Sequence, residues 1–542
     1  MLLNMRNLLK HFDSYVDNES YHDKNIYASR THLGIINQGK QPYVFDGKIF
    51  SWMEGEFYNQ EELKAKYNLI STTDNELLVN IYNSTRSFEF LKNVDGCYAA
   101  ALYDKKEKTL YLITDRYGFK PLCWGVINGD LVWSSELKGF LGHADFKPLI
   151  DRRAVEEFFD IGYLLENRTW FESIELVPPA SILTFDVKKS KVSIQQYWLL
   201  GEIDTIKGHI DEREIIEEIG RLFKESVRKR VNNDERIGIT LSGGLDSRAI
   251  LAAVPEDYKP LHTFTFGQEG CNDVKIASKV SKVKGTEHHA LVLSSANWLM
   301  PRISGVWKSD ASFSLLHMHG MEFYDEYKSY MDFNLNGFLG DAILGGSYIS
   351  QDSSVLYKVR NRGRRFINQA MLMGEAWLMH RRPFFDNDIT SLIFSIPESL
   401  RQCSYIYNKM LLSAFPEYYS NIPWQNTGVP INYPNRLVEL LTFKNQVVSK
   451  LKRESRRLGF NFKDSKNYTD YPAWIRQEPA KSFFEKVLLS KDAIYPEYIG
   501  KKNIHAYIRN HVEKKANYHN ELCLALTFEL WLQQVFQGKF RE

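Results

Sequence analysis

Ser242-Gly243-Gly244-Leu245-Asp246-Ser247 is the segment whose residue types and order best suit chemistry. Two adjacent glycines let the backbone approach an oxyanion with no Cβ in the way, and the hydroxyls of Ser242 and Ser247 can donate to it. Asp246 adds a hard oxygen ligand that suits Mg²⁺ bridging phosphate oxygens. The pattern fits a pyrophosphate group. A tight turn with helix-capping serines is the plain alternative. The succession of β-rich run, glycine loop, aspartate and helix favours the anion site, because a helix amino terminus then points at the ligand.

Such a loop needs a strand to feed it and a helix to leave it. Residues 236–241 form a short β-rich run, 247–254 read as a helix and 261–266 as another strand, which is a βαβ unit and hence a parallel sheet. A second strand–turn–helix junction lies at 332–346 and carries Asn336, Gly337 and Asp341. Upstream, residues 211–231 place Ile215, Ile219, Leu222, Phe223 and Val227 on one helical face. From about Tyr43 to Trp198 the texture is different: short alternating segments broken by turns, with a hairpin signal at Asn128-Gly129, as expected of antiparallel sheet. The change near residue 205 predicts two domains, 1–205 and 206–542, the second with a mainly helical extension.

These motifs resemble the PP-loop ATP pyrophosphatases and, within them, the asparagine synthetase family, whose signature SGGLDS is matched in full. The resemblance implies a Rossmann-like domain of the adenine nucleotide α hydrolase type that splits ATP into AMP and pyrophosphate. It places Leu241, Ser242, Gly243, Gly244, Asp246, Ser247, Asn336 and Gly337 around the nucleotide, Phe266 beside adenine, and Asp246 with Asp341 on Mg²⁺. Residues 263–267 resemble the family's second strand, and Asp273, Ala277 and His288-His289 follow at similar spacing; the histidines read more simply as the start of a strand. The segment 382–386 resembles the family's PFLD, and Lys409 matches the lysine of K-x-x-L that stabilises charge on the acyl-adenylate and departing pyrophosphate. Phe338 and Ala342 stand where asparagine synthetases have glutamates, and the first of those contacts substrate in the family, so the carboxylate is expected not to be aspartate.

The amino-terminal part resembles the family's Ntn-hydrolase-like glutaminase domain through 54–59, 115–122 and 134–138. Active members use a cysteine at the mature amino terminus, a thiolate beside a free α-amine. Here the sequence starts Met1-Leu2-Leu3 and its first cysteine is Cys97, inside a predicted strand. His32 falls where the family binds glutamine with an arginine, and Glu54 replaces the asparagine of the oxyanion pocket; Asp74 is retained. The expectation is an inactive, structural domain. Family members without the cysteine include β-lactam synthetase and lasso-peptide cyclases, which adenylate a carboxylate and close an amide with an amine of the substrate. The expected partners are thus a carboxylate and an amine or ammonia, with ATP and Mg²⁺; a homodimer is compatible. The alternatives are a non-catalytic nucleotide-binding homologue or partner subunit, and an amidotransferase of polysaccharide biosynthesis. A nucleic-acid contact through Lys450, Lys452, Arg453, Arg456 and Arg457 is weaker still, since such a run is usually a solvated face.

Composition agrees. With 69 basic and 67 acidic side chains in 542 residues, no broad field draws a polyanion or an anionic membrane, and any anion site must be local. Five scattered cysteines without a CxxC pair suggest neither a disulfide framework nor zinc. The apolar runs fall short of the ~18 residues that span a bilayer, and the first ten residues lack a signal-peptide core, so a soluble cytoplasmic protein is expected.

Overall fold

Alternation shapes the amino-terminal half. In the computed structural model, which describes residues 1–208, 211–349, 354–434 and 467–541, six antiparallel strands run in the order Lys191–Gln196, Ser181–Asp186, Thr109–Thr114, Gly96–Asp104, Ile49–Phe57, Tyr43–Phe45. The central strand Gly96–Asp104 turns Tyr98, Ala100 and Leu102 to a core shared with Leu77, Leu78 and Ile81 of helix Asp74–Thr85. Ala99, Ala101 and Tyr103 face the other side, as period-two alternation requires. That second face packs with Ile26 and Ala28 of a separate hairpin, Val16–His22 with Tyr27–His32, and with Leu131 of a three-stranded sheet. Asn128 and Gly129 have φ of 53° and 90° and join Cys123–Ile127 to Asp130–Ser134, as their dipeptide signals. The hairpin and the helix Leu2–Leu9 precede the stretch that reads as sheet in the sequence.

The carboxy-terminal half contains a five-stranded, wholly parallel sheet in the order Glu287–Val292, His262–Gly267, Ile237–Thr240, Phe333–Leu335, Met379–Arg381. Its first strand in sequence, Ile237–Thr240, lies in the middle. The chain proceeds to His262–Gly267 on one side and later to Phe333–Leu335 on the other, so a topological switch point opens at the carboxyl end of Ile237–Thr240, where open α/β sheets bind ligands. Helix Glu212–Lys229 buries Ile219, Phe223 and Val227 against this sheet's core. The edge strand Met379–Arg381 is too short to show in the sequence, which reads there as the run into 382–386.

The halves interlock. Buried Arg364 donates to the carbonyls of Gly118 at 3.3 Å and Val177 at 3.0 Å, and Lys120 pairs with Glu375 at 2.7 Å. Helix His519–Phe536 brings Phe528 within 5.6 Å of Phe159 and 5.3 Å of Trp170, ring centre to centre. Among the described residues no helix is long and apolar enough to cross a membrane. The basic run of Lys450, Lys452, Arg453, Arg456 and Arg457 lies outside the described residues.

Candidate active site

Strand Ile237–Thr240 hands the chain to the glycine loop at the switch point, and helix Asp246–Ala253 leaves it. Leu241 is buried; its N–H donates to the Phe264 carbonyl at 2.7 Å and its own carbonyl accepts the Thr265 hydroxyl at 2.5 Å, which pins the loop to the neighbouring strand. The Ser242 N–H donates to Ser247 Oγ at 3.1 Å, the two serine hydroxyls lie 3.2 Å apart, and the Gly244 N–H donates to Ser242 Oγ at 3.2 Å. Both serine hydroxyls are thus held inside the loop. Asp273 accepts the Gly243 N–H at 3.2 Å and the Gln425 side-chain amide at 2.6 Å, which fixes the outer rim. Fully buried Arg248 donates to the carbonyls of Gly243, Tyr418, Ile422 and Pro423 at 2.9–3.4 Å, so the helix base carries the 418–423 segment with the loop.

The second junction meets the first at Asp246. The Asp341 N–H donates to Asp246 Oδ2 at 2.9 Å, and the Tyr407 hydroxyl donates to Oδ1 at 2.8 Å. The approach requires glycines: a Cβ on Gly337 would stand 2.9 Å from the Ser247 nitrogen, and one on Gly340 2.6 Å from Asp246 Cγ. Burial, and then the Asp341 charge, push the Asp246 carboxyl up to about 7 against the two hydrogen bonds that lower it. Asp341 itself is exposed. Among the described residues no three His, Cys, Asp or Glu side chains are grouped to hold a metal. Two carboxylates with phosphate oxygens and water form the ligand set that Mg²⁺ uses at nucleotide sites, so the donors present fit that cation.

The remaining predicted residues divide. Asn336 is half-buried, with its N–H on the Arg381 carbonyl at 2.9 Å, at the turn that leaves Phe333–Leu335. Half-buried Phe266 is the penultimate residue of strand His262–Gly267, at its carboxyl end, 5.9 Å from the Phe323 ring and 6.4 Å from Tyr468. Lys409 is not drawn to the loop: its ammonium pairs with Glu212 and bonds the Tyr405 hydroxyl at 2.7 Å, with 43% of the side chain exposed. Tyr407, on the same helix, reaches Asp246 instead. Phe338 and Ala342 are both buried, and the Phe338 ring packs 5.2 Å from Phe119 and 5.3 Å from Phe385, in the contact between the halves. His288 and His289 lie within strand Glu287–Val292, where they bond Thr263 and His262.

In the amino-terminal half, Cys97 is buried with its sulfur 3.4 Å from an Arg382 nitrogen, and burial pushes the thiol up to about 12 despite that guanidinium. Asp74 is buried, accepts the Phe57 N–H at 3.1 Å, and is pushed up to about 7 by its burial. His32 is held below its ordinary range, first by burial and then by neighbouring Arg30.

Residues 2–198 match the family model of the glutamine amidotransferase domain, and residues 218–381 match that of asparagine synthase. A Methanocaldococcus jannaschii protein named among the asparagine synthetases is 33% identical over 245 residues, which cover 43% of this chain and 46% of that one. Asparagine synthetase 2 of Bacillus subtilis is 27% identical over 299 residues, 52% of this chain and 40% of the relative. The Gallus gallus asparagine synthetase is 26% identical over 404 residues, 68% and 69%. Against the first two, the match spans less than half of the relative's length. The chain thus joins a glutamine amidotransferase-type domain of antiparallel sheets to an asparagine synthase-type domain whose parallel sheet carries the glycine loop at its switch point.

Proposed function

We propose that the chain is an ATP-consuming, AMP-forming amide ligase that adenylates a carboxylate and joins it to a substrate amine or ammonia. The supporting observation is the meeting of two strand–turn–helix junctions at one carboxylate, with the Asp341 N–H on Asp246. Each residue has a task in this reading. Ser242, Gly243, Gly244 and Ser247 receive the pyrophosphate, Phe266 with Leu241, Asn336 and Gly337 bounds the nucleoside, and Asp246 with Asp341 holds Mg²⁺. That ion supplies charge neutralisation between the phosphates. Lys409 leaves Glu212 to meet the charge that develops as the acyl-adenylate forms.

The boundary lies near residue 205, with 1–205 as a domain without glutaminase activity. Its two cysteines, Cys97 and Cys123, are both buried in strands, Cys97 beside Arg382. The carboxylate is other than aspartate, because Phe338 and Ala342 are buried where glutamates stand in relatives. Five free cysteines, four of them buried, suit a reducing cytoplasm.

Exchange of labelled pyrophosphate into ATP tests the reading: with the right carboxylate present and the amine withheld, label should enter ATP. A second reading, a nucleotide-binding homologue without turnover, is favoured by the pairing of Lys409 with Glu212. It predicts Mg²⁺-dependent ATP binding with no exchange for any carboxylate.

A further inference from the structure

The two layers of the amino-terminal half do not close on each other. Between the six-stranded sheet and the elements on its second face lies a partly open cavity of about 500 Å³. The central strand is the cause. Ala99 and Ala101 occupy successive positions on that face of Gly96–Asp104, where branched side chains would otherwise fill the space, and Trp52 and Leu131 complete apolar walls. Protein interiors are close-packed, and unfilled volume is destabilising, so a gap of this size maintained by alanines on a central strand suits an occupant. Its volume, and a lining in which apolar walls meet polar and charged side chains, suit a small amphipathic molecule.

Two paired cations line the cavity beside a third carboxylate. Arg30 pairs with Glu19 at 3.3 Å, and Lys120 with Glu375 at 2.7 Å. Glu54 has only longer approaches, 3.5 Å to Arg30 and 3.7 Å to Lys120, and its side chain is 36% exposed while those of Glu19 and Glu375 are 7% and 9%. Each cation therefore already has a closer carboxylate, and Glu54 faces the cavity with acceptor capacity left over. Glu375 is shared with Arg382 at 3.4 Å, so the cluster is balanced in charge, but the nearest cation to Glu54 is 3.5 Å away; an anionic group there would meet its oxygens, and a cationic donor would satisfy them. We propose that this cavity binds a small amine carried on an apolar body, the ammonium donating to Glu54 and the body lying against Ala99, Ala101 and Trp52. The site is independent of the ligase reading, which assigns this half no ligand.

Calorimetric titration of the full chain with n-octylamine, octanoate and 1-octanol, each below its aggregation threshold, tests it. Octylamine should bind saturably and about tenfold or more tighter than either other probe, as expected for one charge-assisted hydrogen bond. Glu54→Gln should lose most of that preference, and Ala101→Leu, which projects into the cavity where the apolar body lies, should weaken octylamine binding about tenfold or more while keeping the unliganded unfolding temperature at or above wild type. If Ala101→Leu fails to fold, Ala99→Leu takes its place. Absence of octylamine binding, equal or tighter binding of octanoate, or octylamine affinity unchanged by the leucine would each overturn the proposal.

Discussion

The main chain of Asp341 holds the side chain of Asp246: its N–H donates to Oδ2 at 2.9 Å across 95 residues of sequence. The bond fixes the carboxylate's direction without neutralising it. Because burial and the Asp341 charge outweigh this bond and that of Tyr407, the Asp246 carboxyl is pushed up to about 7 and can titrate in the physiological range.

Mg²⁺-ATP binding should therefore depend on pH through Asp246. A cation adds to the ionised carboxylate, so affinity should rise by up to about tenfold per pH unit below 7, level off above it, and release about one proton per site near pH 6. Stability of the unliganded protein runs the other way. The folded-state pKa is raised above the unfolded one, so the contribution is full below the unfolded value of about 4 and is lost as pH rises through about 7. Asp246→Asn should abolish Mg²⁺-dependent binding and flatten this part of the stability profile, and Asp341→Ala should also lose binding. Calorimetry across this pH range decides, and unchanged ATP affinity in either variant removes that residue from the site.

Arg248 should be structural support for the loop. It is fully buried, and its guanidinium donates to four carbonyls, including that of Gly243. Arg248→Met removes this donor from all four acceptors, of which Gly243 keeps the Gln425 N–H at 3.3 Å, so the loss should be about 3 kcal/mol in chemical denaturation, together with weaker ATP binding. Arg248→Lys should recover little, because an ammonium cannot span four carbonyls as a planar fork does. A variant as stable as wild type would show that water takes over these carbonyls.

What the sequence shows and what it hides follows contact distance along the chain. The glycine loop is legible because strand, loop, aspartate and helix are contiguous, and Asn128-Gly129 because a two-residue turn needs positive φ at both positions. Tyr407 and Gln425 are not, because they reach their partners Asp246 and Asp273 across 161 and 152 residues, and no local pattern marks a tyrosine as a donor to a distant carboxylate. Lys409 shows the same limit from the other side: K-x-x-L is a local match, while the salt bridge that holds its ammonium comes from Glu212 on another helix.

The amino-terminal half should release no glutamate from glutamine, with or without ATP. Cys97 is buried, and desolvation pushes its thiol up to about 12, so almost no thiolate forms near neutrality. Iodoacetamide should leave it unmodified in the folded protein, and Cys97→Ala should change neither result. Glutamate release that disappears in Cys97→Ala would overturn the view of this half as lacking a nucleophile.

The fate of Lys409 separates ligase from bystander. Tyr407 and Lys409 are two residues apart on helix Tyr405–Ala414, and side chains at that spacing do not share a face. The Tyr407 hydroxyl reaches Asp246 while the Lys409 ammonium is held by Glu212, so in the ligase reading the lysine must exchange this carboxylate for the charge of the reacting phosphates. An exposed ion pair is weak enough to allow this, and Glu212→Gln should leave thermal stability nearly unchanged. Lys409→Ala should then retain most of the ATP affinity but slow pyrophosphate–ATP exchange about a hundredfold, because a cation that acts on charge developing in the transition state affects rate more than ground-state binding. Glu212→Gln should keep the exchange or raise it, since the lysine no longer has to leave a carboxylate. The products with the full substrate set should be AMP and pyrophosphate. Exchange at the wild-type rate in Lys409→Ala would leave the lysine as a surface partner of Glu212, and ADP as the stoichiometric product would rule out adenylation altogether.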